Sequence, residues 1–126
     1  MTDALTDPGF LKASEEIAQH LMVTLDTSAA KTLKIADSPD DVFGVCAKLT
    51  KIGEAVTTRT ADGAVVRVLA GAAFSLGDKL APGTGVAKGK AITAATSGAI
   101  VAGRALEAAT AADEIVLMMI EKTVLP

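Results

Sequence analysis

Turn residues interrupt this chain at short, regular intervals from Leu21 onward, about every 8–12 residues. Between the turns lie short runs rich in valine, isoleucine and threonine, which favour strands. Intervals of this length leave no room for the helices of 10–15 residues that alternate with strands in a βαβ fold. The sequence therefore predicts a mainly β protein, a small β-barrel or sandwich.

The clearest strands lie on either side of Asp26-Thr27-Ser28, where Val23 and Leu25, then Leu33 and Ile35, alternate with polar residues. A second hairpin is predicted through Asp62-Gly63, because Asp-Gly suits the positive φ of a tight hairpin turn. Gly77-Asp78 marks a further turn. Other strands are expected within the ranges 42–49, 55–60, 64–69, 86–93, 99–106 and 114–120.

A weak internal repeat relates the two halves of this β region. Gly44, after Val42-Phe43, matches Gly103, after Val101-Ala102, and both are followed by an acid and a strand-like run. The glycines are 59 residues apart, as are Glu54 and Asp113. Arg104–Met119 is rich in residues with high helix propensity, but the repeat favours strands there. We expect Gly44 and Gly103 to hold equivalent strand positions where a side chain would collide with neighbouring backbone.

Residues 1–20 differ from the β region, residues 21–126, and are treated as a separate segment. After the break at Asp7-Pro8-Gly9, apolar residues recur at helical spacing at Phe10, Leu11, Ile17 and Leu21. One interpretation is a short helix packed on the chain's own β domain. The other is an extended arm whose apolar residues contact a neighbouring subunit or another partner protein.

Composition limits the classes of partner that the chain is expected to bind. The chain has three Phe and no Trp or Tyr, so its core is built from small side chains that gain little free energy on burial. Stabilisation by association with other subunits is therefore expected. A net charge of −3 and the lack of stacking aromatics argue against nucleic acid. No apolar run is long enough to span a membrane, and no secretory signal begins the sequence.

Catalytic, metal and cofactor sites are not predicted. His20 is the only histidine and Cys46 the only cysteine, and Cys46 lies in an apolar run typical of a buried thiol. The acidic loop Asp37–Asp41 lacks the ligand spacing of a calcium loop. Gly83–Ala91 resembles a phosphate-binding loop but is one residue short and ends in alanine where a hydroxyl should bind magnesium.

The second half carries a family resemblance. Its motifs are Gly71–Leu80 (GAAFSLGDKL), Gly89-Lys90-Ala91, Ile100–Ala109 (IVAGRALEAA) and Asp113–Val116. They are similar to the small capsid cement, or decoration, proteins of tailed bacteriophages. Gly44 with its neighbours and Gly53–Val56 fit the first half of the same pattern, so the resemblance covers roughly residues 21–121. The longer N-terminal segment departs from it.

The resemblance implies a structural virion protein without enzymatic activity or cofactor. Such proteins bind the outer surface of the capsid, assembled in the host cytoplasm, and often form homotrimers that link neighbouring major capsid protein subunits after the shell expands. The alternative is a small ligand-binding or carrier β-barrel, which would need a concave pocket with converging polar groups. An enzyme of unfamiliar type is disfavoured by the single histidine.

Overall fold

A computed structural model describes residues 11–38 and 40–126. Within them the chain forms ten strands and one short 3-10 turn, Gly85–Ala87. The strands are β1 (Lys12–Ala13), β2 (Met22–Leu25), β3 (Thr32–Ile35), β4 (Gly44–Cys46), β5 (Thr58–Arg59), β6 (Val65–Leu69), β7 (Lys79–Pro82), β8 (Ala91–Thr93), β9 (Ile100–Ala105) and β10 (Ile115–Val124). The mainly β, sandwich-like architecture expected from the turn spacing is confirmed.

The strands form two five-stranded sheets, and each sheet is one contiguous half of the chain. The first has the order β1-β3-β2-β4-β5 and the second the order β6-β10-β9-β7-β8. All pairings between these strands are antiparallel except that of β1 with β3. We call strands β1–β5 the first repeat and β6–β10 the second repeat.

The repeat predicted from the two glycines is present in the topology. The order β3-β2-β4-β5 of the first repeat recurs as β8-β7-β9-β10 in the second. The register also recurs, because Val23 pairs with Gly44 and Leu80 pairs with Gly103. Each repeat therefore contains a hairpin, β2-β3 or β7-β8. The strand that carries the glycine, β4 or β9, pairs with the first strand of that hairpin.

Isolated bridges extend the repeat to the segment before β2. Ile17 bridges Thr50 in the first repeat, as Phe74 bridges Ala109 in the second. A further bridge joins Lys12 to the residue Ala55 ahead of β5, at the far end of the sheet order, so the first sheet curls back on itself. Residues 11–20 thus form part of the first repeat.

This packing corrects the expectation of a helix or detached arm at residues 10–21. Residues 11–21 contain a short strand and no helix, and Ile17 and Leu21 are buried among the first repeat's own side chains. Leu11 is half-buried against the same cluster. Ile17 and Leu21 are therefore closed to a partner protein. Phe10 and the break at residues 7–9 lie outside the described residues.

The hairpin predicted through Asp62-Gly63 is also wrong, because β5 and β6 belong to different sheets. Gly63 does adopt a positive φ of 89°. Its N–H, however, donates to the carbonyl of Ile120 at 2.7 Å, and the Asp62 carboxylate accepts the N–H of Lys122 at 3.2 Å. The turn is therefore held by β10, and β6 pairs along β10 instead of returning along the two-residue β5.

Two apolar clusters fill the fold. The smaller lies in the first repeat and consists of Ala13, Ile17, Leu21, Val23, Leu33 and Cys46. The larger fills the second repeat and continues into the first through Met22, Ala36, Val42 and Val45. Backbone bonds cross the same junction, from the Met22 N–H to the Gly89 carbonyl at 2.8 Å and from the Gly89 N–H to the Ala36 carbonyl at 2.7 Å. The repeats therefore form one packed body. Within the described residues, none of the helical structure could span a membrane.

Candidate interaction surface

The outer side of β6 and β10 is an apolar face that the core leaves partly uncovered. In the first part of β10 the even-numbered residues Val116, Met118 and Ile120 are buried, whereas the odd-numbered ones point the other way. Cross-strand pairing places those odd residues beside the odd residues of β6. We call this set the β6–β10 face: Val65, Arg67, Leu69, Ile115, Leu117 and Met119. Val65 is 57% exposed and Ile115 is 52% exposed.

A cleft of about 330 Å³ lies beside this face, between the two repeats. We call it the arginine cleft. Its lining residues are Gln19, His20, Val45, Cys46, Ala47, Arg59, Val65, Val66, Arg67 and Leu117. None of them is acidic, and neither Arg59 nor Arg67 has an ion pair with any described residue. Two arginines therefore line one cleft of a chain whose net charge is −3.

The backbone of β6 has a free edge on the side away from β10. The Ala70 N–H donates to the carbonyl of Glu114, just before β10, and the Ile120 N–H donates to the carbonyl of Ala64. The N–H and C=O groups of the even-numbered residues of β6 therefore point toward β10. The Leu69 N–H points the opposite way, to the His20 carbonyl. By strand alternation the N–H and C=O of Val65 and Arg67 point to that side too. Among the described residues they have no hydrogen-bond partner.

Three ion pairs lie elsewhere among the described residues. Lys90 Nζ lies 2.6 Å from the carboxylate of Asp113, and Arg104 lies 3.2 Å from that of Glu121. Lys88 Nζ is 3.8 Å from Glu15. Two lysines of the loop resembling a phosphate-binding motif are thus already in ion pairs, unlike the arginines of the cleft.

Two carboxylates are held ionised by hydroxyl and backbone donors. The hydroxyl and then the N–H of Ser28 lower the pKa of Asp26 from 3.8 to about 2, and its carboxylate accepts them at 2.6 and 3.0 Å. The hydroxyl and then the N–H of Thr110 lower the pKa of Glu114. Both pairs close turns at the ends of strands, which is a structural role.

The residues considered for chemistry do not converge on a reaction centre. Cys46 is fully buried, and its thiol donates to the Lys48 carbonyl at 2.9 Å. His20 has a positive φ of 74° and lines the arginine cleft. In the loop 37–41, the Asp37 N–H donates to the Asp40 carboxylate at 3.0 Å. No set of three histidine, cysteine or acidic side chains in the described part of the chain is arranged to hold a metal ion.

The structure places the predicted turn residues at bends and tight approaches. Gly77 has a φ of 86°, and its N–H donates to the Ala105 carbonyl at 2.9 Å. Asp78 closes the same turn by accepting the Ser75 N–H at 2.9 Å. Gly44 and Gly103 lie within strands β4 and β9.

Sequence reasoning missed the β6–β10 face, although one signal for it was present. The run from Ile115 to Ile120 is apolar at every position, whereas a strand with one side in water alternates. Such a run indicates that both sides of the strand are shielded from water. The intramolecular core covers one side, and the other carries Ile115, Leu117 and Met119.

The fold defines a mainly β, sandwich-like protein of two repeats, with apolar side chains on the outer side of β6 and β10. The phage cement protein family model matches residues 8–120, across both repeats, and the chain belongs to that family. It is accordingly a structural protein associated with a phage capsid. The expected resemblance is confirmed over a longer stretch than the residues that first indicated it.

A solved structure shares the fold. The N base of the head fibre protein gp8.5 of bacteriophage phi29 superposes with a TM-score of 0.74 and 19% identity. The match covers 93% of this chain and 95% of that one. A comparison with curated proteins finds no match.

Proposed function

We propose that this protein binds the outer surface of a tailed-phage capsid and cements the assembled, expanded shell. Its partner is the major capsid protein, whose neighbouring subunits it links, and it works as a homotrimer on virions assembled in the host cytoplasm. It has no enzymatic activity and needs no cofactor. The observation that carries the proposal is the family match over residues 8–120, which includes both repeats. The phi29 relative is a head fibre base, also a protein of the phage head.

The β6–β10 face supports a binding role. Val65 and Ile115 are more than half exposed, and burying such side chains in an interface releases roughly 25 cal/mol per Å² of apolar surface. This face takes over the contact role expected of Ile17 and Leu21, which the first repeat buries.

Association into a trimer is supported by further exposed apolar residues and by the small core. The second repeat's interior contains Ala70, Ala91, Ala102, Ala105 and Ala109, which contribute little burial each. Ile52 and Leu76, on loops, are 71% and 68% exposed, and Val86, in the 3-10 turn, is 95% exposed. Contacts between copies would cover apolar surface that one chain leaves in water.

A carrier of small ligands is less well supported. The side chains of Ile17, Val23, Leu33 and Cys46 are fully buried together and fill the first repeat where a carrier would hold its ligand. Phe74 and Leu80 do the same in the second repeat. Three clefts among the described residues, of about 330, 360 and 220 Å³, are open to solvent.

Cosedimentation with phage capsids that lack this protein tests the proposal. We expect saturable binding to expanded capsids, weaker binding to unexpanded shells, and a bound copy number that is a multiple of three. Val65→Ser with Ile115→Ser should weaken binding, while Leu49→Ser, at an exposed site away from the β6–β10 face, serves as the control. Absence of binding by the unmodified protein would contradict the proposal.

A further inference from the structure

The arginine cleft holds more positive charge than its surroundings neutralise. Arg59 and Arg67 approach it from different repeats, and the lining residues include no carboxylate. Two like charges around one cleft disfavour each other, and an anion between them removes that cost. Arginine's planar fork binds carboxylates with two parallel hydrogen bonds, so a carboxylate suits this cleft well.

The adjoining edge of β6 indicates that the anion belongs to a polypeptide. Val65 and Arg67 each direct an N–H and a C=O toward the side away from β10, with no partner among the described residues. An added strand satisfies both kinds of group, as in β-augmentation. A nucleic acid offers no such alternation of backbone donors and acceptors, and the cleft has no phenylalanine, tyrosine or tryptophan on which a base would stack.

The geometry points to an extended acidic segment of the capsid that adds to the free edge of β6 and places its carboxylates against Arg59 and Arg67. This inference rests on the proposed function, because it names the partner chemistry of the same capsid contact. An extended chain repeats every two residues, so acids at alternate positions would share the side that Arg67 occupies. Leu117 and Val65 supply apolar surface beside the intervening residues.

The charge part of the inference is tested by affinity for capsids that lack this protein. Arg59→Glu with Arg67→Glu should weaken capsid binding by at least about tenfold, since charge-assisted hydrogen bonds are lost and like charges now face each other. Lys31→Glu with Lys51→Glu changes the net charge equally at exposed positions outside the cleft and should stay within about threefold of the unmodified protein.

The backbone part has its own pair of variants. Val65 begins β6 and its N–H points away from β10, so Val65→Pro removes a donor of the free edge without removing a bond of the sheet. Val65→Ala shortens the same side chain and keeps the donor. We expect Val65→Pro to weaken capsid binding by at least about tenfold relative to Val65→Ala. Unfolding midpoints of all variants verify that the fold is kept.

The outcomes separate this inference from the proposed function. If the unmodified protein fails to bind capsids, the proposed function is wrong and the inference falls with it. If the unmodified protein binds and both the arginine and the proline variants bind as tightly as it does, the inference alone is wrong. Loss of self-association with unchanged capsid affinity would likewise overturn it, because the occupant would then be a second copy.

Discussion

Gly44 and Gly103 occupy the same place in the two repeats and are both closed in by the carbonyl of a neighbouring strand. A β-carbon on Gly44 would lie 2.5 Å from the Arg59 carbonyl oxygen, and one on Gly103 would meet the Met119 carbonyl oxygen, with Met118 Cγ at 2.8 Å. On the other side each glycine pairs with a fully buried residue, Val23 or Leu80. Each repeat thus depends on a strand position without a side chain.

Adding one methyl group at this position should destabilise the isolated protein. We expect Gly103→Ala to lower the free energy of unfolding by about 1–3 kcal/mol, because backbone must move to admit the β-carbon. Gly44→Ala should act in the same direction. Thr123→Val, an isosteric change at an exposed position of β10, is the control and should stay within about 0.5 kcal/mol. Denaturant unfolding measures all three, and an unchanged midpoint for both glycine variants would contradict the close packing of these carbonyl groups against the two glycines.

The N-terminal part of the first repeat should behave as core. Ile17 is fully buried and bridges Thr50, so Ile17→Ala should cost about 2–5 kcal/mol of stability in the absence of any capsid. Leu49→Ala removes the same kind of surface at a site that is 52% exposed and should have a small effect. Thermal unfolding of the two variants measures both effects. Equal, small shifts would restore the view that this segment is an arm.

Cys46 should react only slowly with thiol reagents in the native protein. The thiol is fully buried and donates to a backbone carbonyl, so a thiol reagent reaches it only when the first repeat opens. We expect labelling by an aromatic disulfide reagent to be slow in buffer and complete in denaturant. Rapid, complete labelling of the folded protein would show that the cluster around Cys46 is open.

The Asp26 turn predicts a pH dependence. Ser28 lowers the pKa of Asp26 in the folded chain to about 2, below its ordinary value of 3.8. The folded state therefore favours the ionised form, and the stability this contributes is complete above pH 3.8 and is lost as the pH falls through about 2. Carboxyl NMR titration should give this low value, and Ser28→Ala should move it upward. A value near 3.8 in the unmodified protein would refute the role of Ser28.

Local sequence patterns were sufficient to predict part of the fold. The alternation around Asp26-Thr27-Ser28 is set by neighbours in sequence, and β2 and β3 form there as predicted. The spacing of Gly44 and Gly103 indicated the repeat, and it correctly favoured strand over helix at 104–119, where β9 and β10 lie. These features rest on turn chemistry and steric limits that a single sequence displays.

Long-range pairing decided the rest. Asp62-Gly63 has the residues of a hairpin turn, but five register pairs with β10 take β6 into the other sheet. Ile17 and Leu21 have helical spacing, yet a bridge to Thr50 and packing against Cys46 hold that segment extended. Arg59 and Arg67 line the same cleft from different repeats. Their spacing along the chain does not reveal this.

The central claim, that this protein stabilises an assembled shell, is tested most directly by the disruption temperature of expanded capsids that lack it. A protein that binds the intact shell and not its separated subunits stabilises the shell by mass action, and many bound copies act together. Adding the purified protein should raise the disruption temperature in a saturable, concentration-dependent way, and the Val65→Ser, Ile115→Ser variant should require higher concentrations. An unchanged disruption temperature at saturating occupancy would contradict the account.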